Sequence, residues 1–329
     1  MTVRVGVIGT GFGARVVAPV FAGTEGCAVA DVVSARDADA VARLVRRDDV
    51  DLVSIQSPPF LHAAHVRAAL ANGKAVLCEK PFGTTAREAR ALLAEAEAAG
   101  AVHLVDFEFR YHPARRVLRE LVGAGLVGPV EHVSWTHLSA GARVPLRPHG
   151  WLFDRARGGG WIGAWASHAV DTIRFVFGEI ADAVGFPRTV VSARPGRDGV
   201  VRACTAEDGL SAVLRLAQGA TVTIDSSFAS TAALPPRLTV VGGEGVIEVV
   251  ADERITLRRP DGSREEVPVP GTGDGPEGRG DRHALPMRHF AQVVRDSVLR
   301  GRPEPGAPTF ADGAACAEVL ERLRGDRPS

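Results

Sequence analysis

A mostly apolar run at the head of the chain, Val3-Arg4-Val5-Gly6-Val7-Ile8, leads straight into Gly9-Thr10-Gly11-Phe12-Gly13-Ala14, and a helical pattern begins at once. No other stretch restricts the fold as much. It is a G-x-G-x-x-G/A pattern set between a strand and a helix, the context that gives the pattern meaning. The glycines permit a tight turn and close approach of backbone to a pyrophosphate, and the helix N-terminus adds a positive dipole. Gly9, Thr10, Gly11, Phe12, Gly13 and Ala14 are therefore the expected cradle of a dinucleotide. The competing reading is a strand-to-helix turn with a structural part only.

The first third of the chain continues as alternating strands and helices, the signature of a parallel sheet with crossover helices. Strands are expected near Val3–Gly9, Ala28–Ser34, Asp51–Ser57, Ala75–Glu79 and Val102–Phe107, with helices around Arg15–Phe21, Ala38–Arg46, His62–Asn72 and Thr85–Ala99. Only residues 37–50 separate the second strand from the third. That gap holds one crossover helix, so the usual third strand of a dinucleotide fold, an edge strand, is expected to be missing. Cofactor choice is read at the end of the second strand, where an NAD site wants a carboxylate. The chain offers Ser34 and Arg36 there, with Asp31 too early and Asp37 just past. Ser34 can hydrogen-bond a 2′-phosphate and Arg36 can clamp it or stack on adenine, which favours NADP over NAD. In the alternative, Arg36 is a solvated helix-start residue and Asp37 serves NAD.

Beyond Pro113 the texture changes. A helix (Ala114–Val122), a strand (Val130–His137) and an irregular stretch lead to Gly158-Gly159-Gly160, which opens a helix running through Phe177. From Ala181 to Val269 the pattern is strand, turn, strand. Hairpin turns are expected at Glu207-Asp208-Gly209, Gln218-Gly219, Gly242-Gly243-Glu244-Gly245 and Pro260-Asp261-Gly262. Gly271–Gly280 reads as a surface loop, and helices return at His283–Arg300 and Phe310–Arg324. At 329 residues two domains are expected: a parallel α/β domain over 1–112, and an α+β domain with a large, mostly antiparallel sheet over 113–329. The C-terminal helices have the option of packing back on the first domain.

Composition excludes whole classes. Formal net charge is zero, without a basic block, and aromatics make up 5% of the chain. Nucleic acid is therefore not an expected partner, because phosphate binding needs a concentrated positive field. No apolar stretch approaches the roughly 20 residues that span a bilayer, and the first residues form a strand rather than a signal peptide. Cys27, Cys78, Cys204 and Cys316 are scattered without metal-type spacing, so no metal is expected and a reducing cytoplasm is.

Of 39 lysines and arginines, only Lys74 and Lys80 are lysines. A lysine kept against that bias points to a place where a compact ammonium is needed and a guanidinium will not serve. Lys80 sits in Cys78-Glu79-Lys80-Pro81, at the end of an apolar run.

The glycine fingerprint, Ser57-Pro58-Pro59-Phe60-Leu61-His62, Cys78-Glu79-Lys80-Pro81, and the glycine triplet followed by His168 and Asp171 occur in that order. The set resembles the Gfo/Idh/MocA family, named for glucose-fructose oxidoreductase and inositol dehydrogenase, over essentially the whole chain. The resemblance implies a Rossmann domain and NAD(P)-linked hydride transfer at a sugar, cyclitol or related small carbonyl or alcohol. It also implies a homodimer or homotetramer built through the second-domain sheet. By the same carry-over Lys80 lies beside nicotinamide and substrate with Glu79 next to it. Ser57, Pro58 and His62 serve the nicotinamide half, and His168 is the acid/base. The chemistry agrees on roles: removing a hydroxyl proton as hydride leaves carbon asks for a base of near-neutral pKa, and an ammonium stabilises the developing oxygen charge.

The chain also departs from that pattern. Ala164 stands where the family has the Asp that partners the catalytic His. Asp171, one turn on from His168, is a candidate orienter; Ser167 is either a helix cap or a replacement hydroxyl. Trp165 either packs a core or walls an apolar-faced substrate. Arg110 and Tyr111, beside a Glu108 where the family has Asn, either reach substrate or tie the two domains together. Two alternatives follow from Ala164: a cofactor-binding protein with little or no catalysis, or NAD-dependent glycoside cleavage without net redox change.

Overall fold

The computed structural model describes residues 1–271 and 281–325; the loop read at Gly271–Gly280 falls, beyond Gly271, outside them. The chain divides into two compact units. One comprises Met1–Tyr111 with the later described residues up to Glu318; the other comprises the residues from His112 to 271 and those from Val319.

In the first unit five parallel strands are ordered β2-β1-β3-β4-β5: β1 (Val3–Ile8), β2 (Cys27–Val33), β3 (Leu52–Ile55), β4 (Ala75–Cys78) and β5 (His103–Val105). Their runs are mostly apolar because crossovers cover both faces; Val5, Val7, Leu52, Val53 and Ile55 are fully buried. Between β2 and β3 lies only the helix α2 (Ala38–Val45), so β2 is the edge and the third strand is absent, as its spacing required. The helix after the glycine-rich turn opens with a π-helical turn, Gly13–Val17, before α1 (Ala18–Ala22). α3 (Pro59–Leu70) and α4 (Ala86–Ala98) follow β3 and β4. α4 starts where its caps say: Thr85 Oγ1 accepts from Glu88 N–H at 3.1 Å while the Glu88 carboxylate accepts from Thr84 N–H at 2.7 Å.

Late in the chain, α7 (Ala284–Arg300) carries Met287, Phe290, Ala291 and Val294 on one stripe at i, i+3, i+4, i+7. These four join Val5, Val7, Val17 and Phe21 in one buried cluster. Each large apolar side chain removed from water there contributes about 1.5–3 kcal/mol. The sheet core of this unit is therefore completed by residues remote in sequence.

The second unit holds α5 (Pro113–Gly123), β6 (Val130–Leu138), α6 (Ser167–Phe177) and an eight-stranded sheet. Its other strands are β7 (Ile180–Arg188), β10 (Gly209–Leu216), β11 (Thr221–Ser227), β12 (Arg237–Gly242), β13 (Gly245–Val250), β14 (Arg254–Arg258) and β15 (Arg264–Val267), in the order β15-β14-β13-β12-β6-β11-β10-β7. Only β6 and β11 pair parallel; the rest is antiparallel. A small ribbon, β8 (Ala193–Pro195) with β9 (Val201–Ala203), stands apart. Three expected hairpin turns join strands as read; Glu207-Asp208-Gly209 does not. β10 pairs with β7, and the residues before it are turned inward, Asp208 accepting from Val190 and Val191 N–H at 2.8 and 2.9 Å. Acidic residues before a glycine imitate a turn, but here they accept from backbone N–H groups remote in the chain.

Candidate functional site

The glycine-rich turn is built for a close neighbour. Gly9 has φ +141°, and a Cβ there would lie 2.4 Å from the Gln56 carbonyl oxygen, so a side chain is excluded. At Gly13 a Cβ would meet Gln56 Cβ at 2.9 Å and Val7 Cγ1 at 3.0 Å, which is why the helix can seat on the sheet. At Gly11 a Cβ would find nothing within 4 Å: this glycine faces open space, as a phosphate cradle requires. Thr10 is exposed, Phe12 and Ala14 half-buried. These features fit a dinucleotide, with the turn's backbone approaching a diphosphate.

At the end of β2, Ser34 is half-buried and its Oγ accepts from Arg36 N–H at 3.3 Å; Arg36 itself is exposed. Both nearby carboxylates are engaged. Asp37 caps α2, accepting from Ala40 N–H at 2.9 Å, and Asp31 lies 3.6 Å from Arg47.

Ser57 and His62 prove to be interior. His62 is fully buried, its Nε2 2.7 Å from the Ser57 carbonyl and its Nδ1 3.2 Å from that of Pro81. Burial pushes its pKa down to about 4 against those carbonyls, so the ring is neutral at pH 7 with one N–H. His62 thus sits between the Ser57 carbonyl and the Glu79-Lys80-Pro81 corner, and Ser57 Oγ meets His65 Nδ1 at 3.1 Å. Pro58, half-buried, begins α3 as its N-cap.

The two lysines divide the labour. Lys74 Nζ donates to the Arg47 carbonyl at 2.7 Å, just past the end of α2. Lys80 lies where β4 ends, its Nζ 3.6 Å from Glu79 Oε1, both side chains largely buried. Burial raises the Glu79 pKa to about 7, opposed by the Lys80 charge and supported by Glu108. Glu108, almost wholly buried, meets His283 Nδ1 at 2.6 Å, and the His283 ring packs edge-on against Phe12 of the glycine-rich turn. Asp106, Glu108, Gln56 and His283 were not read as site residues from the sequence, where Glu108 entered only as a departure from the family's Asn. The signal for the first three was positional: ligands of open α/β sheets gather at the carboxyl ends of the strands. His283 had no such signal, because its place depends on α7.

Arg110 and Tyr111 engage the late segments of the same unit. Arg110 is buried and donates to Asp312 Oδ1 at 2.8 Å; Tyr111 stacks on Phe290 at 5.0 Å.

In the second unit His168 is buried on α6, with Asp171 and Thr172 buried a turn further on. Ala164 lies in a π-helical turn, Ile162–Ala166, that feeds α6. Ser167 does not cap the helix; its hydroxyl donates back to the Gly163 carbonyl at 2.7 Å. The triplet is indispensable: a Cβ at Gly159 would lie 2.4 Å from the Trp151 carbonyl oxygen, and one at Gly160, φ +108°, would strike the Glu207 carboxylate. Glu207 accepts from Ile162 N–H at 3.1 Å and pairs with Arg324 at 3.5 Å, so it anchors the start of the helix that carries His168. Trp165 is core. It stacks with Trp161 at 5.8 Å and meets His137 and Trp135 edge-on at 4.9 and 5.6 Å.

Two family models match. Residues 3–107 match the "Oxidoreductase family, NAD-binding Rossmann fold" and 115–248 the "GFO/IDH/MocA C-terminal domain". Inositol 2-dehydrogenase 3 of Saccharopolyspora erythraea is 30% identical over 353 aligned residues, covering 98% of this chain and 94% of that one. The chain belongs to the Gfo/Idh/MocA family. As a member of it, it is an NAD(P)-dependent oxidoreductase. Levoglucosan dehydrogenase of Pseudarthrobacter phenanthrenivorans is 27% identical over 193 residues, 54% of this chain and half of that enzyme's length. A solved levoglucosan dehydrogenase, in complex with NADH and levoglucosan, shares the fold with a TM-score of 0.84 at 22% identity over 99% of this chain and 97% of that one. So does an oxidoreductase domain protein from Kribbella flavida, with a TM-score of 0.85 at 24% identity over 98% and 96%. Gfo/Idh/MocA members with named activities among these relatives are dehydrogenases of sugars and cyclitols. No group of three or more His, Cys, Asp or Glu that could hold a metal occurs among the described residues. No helix among them is long and apolar enough to cross a membrane.

Proposed function

We propose that this protein is an NADP-preferring dehydrogenase or reductase of a sugar, a cyclitol or a related small polyol. Relatives named for levoglucosan, D-apiose, 1,5-anhydro-D-fructose and inositol make that substrate class the expected one. The observation that carries it is the pairing of an open glycine cradle with a largely buried Lys80 in one unit. When bound, the nicotinamide accepts or supplies the hydride. In the oxidative direction His168 takes the hydroxyl proton, and Lys80 stabilises the oxygen while charge builds on it. Glu79 is a carboxylate beside the ammonium above about pH 7 and takes up a proton as pH falls through that value.

For cofactor choice, Ser34 and Arg36 supply the donors a 2′-phosphate needs, and Asp37 is committed to its helix. A panel of polyols, inositols and aldoses with the matching carbonyls, each with NAD and NADP and followed at the nicotinamide absorbance, tests the whole reading. Arg36→Glu is expected to lower the NADP to NAD ratio of kcat/KM at least tenfold; a ratio at or below one in the wild type removes the NADP preference. Tight dinucleotide binding without turnover of any panel member supports the non-catalytic alternative that Ala164 raises. Sugar release from a glycoside without net cofactor change supports the other.

The assembly we infer is a homodimer or homotetramer through the second-unit sheet. Val184 and Phe186 on the edge strand β7, with Val213 opposite Val184 on β10, leave an apolar strip about half exposed or more. Phe186→Asp is expected to dissociate the assembly in light scattering; a monomeric wild type at micromolar concentration sinks this inference. None of the four cysteines forms a disulfide, which suits a cytoplasmic protein.

A further inference from the structure

Among the described residues, the buried acceptors of the first unit that lack a donor include Gln56 Oε1 and Asp106 Oδ1. They belong to side chains that already touch. Gln56 Nε2 donates to Asp106 Oδ2 at 3.2 Å and to Ser54 Oγ at 3.1 Å. Asp106 is fully buried just past β5, Gln56 nearly so just past β3. A buried acceptor without a partner forfeits its hydration for nothing, and a buried carboxylate held by a single amide loses more. One proton removes both deficits.

We propose that Asp106 is kept as the neutral carboxylic acid, its O–H donating to Gln56 Oε1 while Gln56 Nε2 donates back to Oδ2. The two side chains then form a two-bond acid–amide pair beneath the glycine-rich turn.

The surroundings agree. Burial holds Asp106 well above the ordinary aspartate range, and the charges of Glu108 and Glu79 push the same way, against the Gln56 hydrogen bond and Lys80. The titratable and charged groups facing it are Cys78, Glu79 and Lys80 at the end of β4, and Glu108 with its partner His283. Glu79 has a cation beside it and Glu108 has an imidazole. Asp106, among the described residues, has neither within ion-pairing distance, so neutrality is the state left to it.

The role is positional. Gln56 is the floor of the turn: its carbonyl fills the space of a Gly9 side chain and its Cβ that of a Gly13 side chain. A neutral acid fixes that floor without placing negative charge under a diphosphate; this part rests on the dinucleotide reading above.

Asp106→Asn tests it, because asparagine makes the same two bonds with no proton to hold. A carboxyl raised in the folded state keeps a proton that the unfolded chain releases above about pH 3.9. Wild-type stability therefore falls as pH rises from there to the folded-state pKa. Without cofactor, Asp106→Asn is expected to melt above wild type, by a wider margin at pH 9 than at pH 6. Each pH unit up to the raised pKa multiplies its relative folding constant about tenfold. The infrared difference spectrum, wild type minus variant at pH 7, is expected to show an un-ionised carboxyl stretch. The dissociation constants of NAD and NADP are expected to rise more steeply from pH 7 to 9 in wild type than in the variant. A variant that melts at or below wild type, with a carboxylate band in the difference spectrum, overturns the proposal. If neither dinucleotide binds, the reading of function fails, while the melts and spectra still decide the state of Asp106.

Discussion

Lys80→Met is expected to lower kcat by roughly 10²- to 10³-fold on whichever panel substrate turns over, the range found when one transition-state charge stabiliser is removed. Methionine keeps the apolar stem that packs at the end of β4 and deletes only the ammonium. The substrate binds before charge develops on its oxygen, so KM should change far less than kcat. Lys80→Arg is expected to fail almost as badly. The guanidinium is larger, planar and unable to act as a point charge at 3.6 Å from Glu79 Oε1. Steady-state kinetics beside thermal melts separates this from misfolding. A kcat within threefold of wild type in a folded Lys80→Met protein removes Lys80 from the chemistry.

For His168→Asn the expected loss is about 10²- to 10⁴-fold in kcat, the span of general acid–base catalysis. Asparagine keeps a polar side chain of similar reach but cannot carry the proton. The diagnostic is the pH profile. In wild type the rate of alcohol oxidation should rise with pH as the imidazole becomes the free base. In the variant that limb should vanish, leaving the dependence set by Glu79 near pH 7. A variant that keeps the wild-type profile shows that some other group takes the proton, with Asp171 the next to test. Ala164 sharpens this experiment, since alanine supplies no carboxylate to hold the imidazolium.

Local patterns carried much of the fold. The strand–glycine–helix opening, the fourteen-residue gap that excludes a third strand, and the Thr85–Glu88 cap are short-range features, set by backbone sterics and neighbouring side chains, and they appear where the sequence puts them. Glu207 was misjudged because an acid before a glycine looks like a turn. Its carboxylate instead reaches Ile162 N–H, forty-five residues away in the chain. Trp165 shows the same limit: its bulk alone did not say whether it packs or binds, and only the rings of Trp161, Trp135 and His137 around it answer.

The amino-acid sequence by itself therefore determined the family, the parallel sheet with its glycine cradle, and the prominence of Lys80 among so many arginines. Those follow from residue type and spacing over a few turns of chain. The neutral-acid candidate at Asp106, the His283–Glu108 contact and the helix N-terminus anchored by Glu207 were decided by tertiary structure alone. Protonation and pairing depend on how far water is excluded and which distant groups arrive, and no local pattern encodes either.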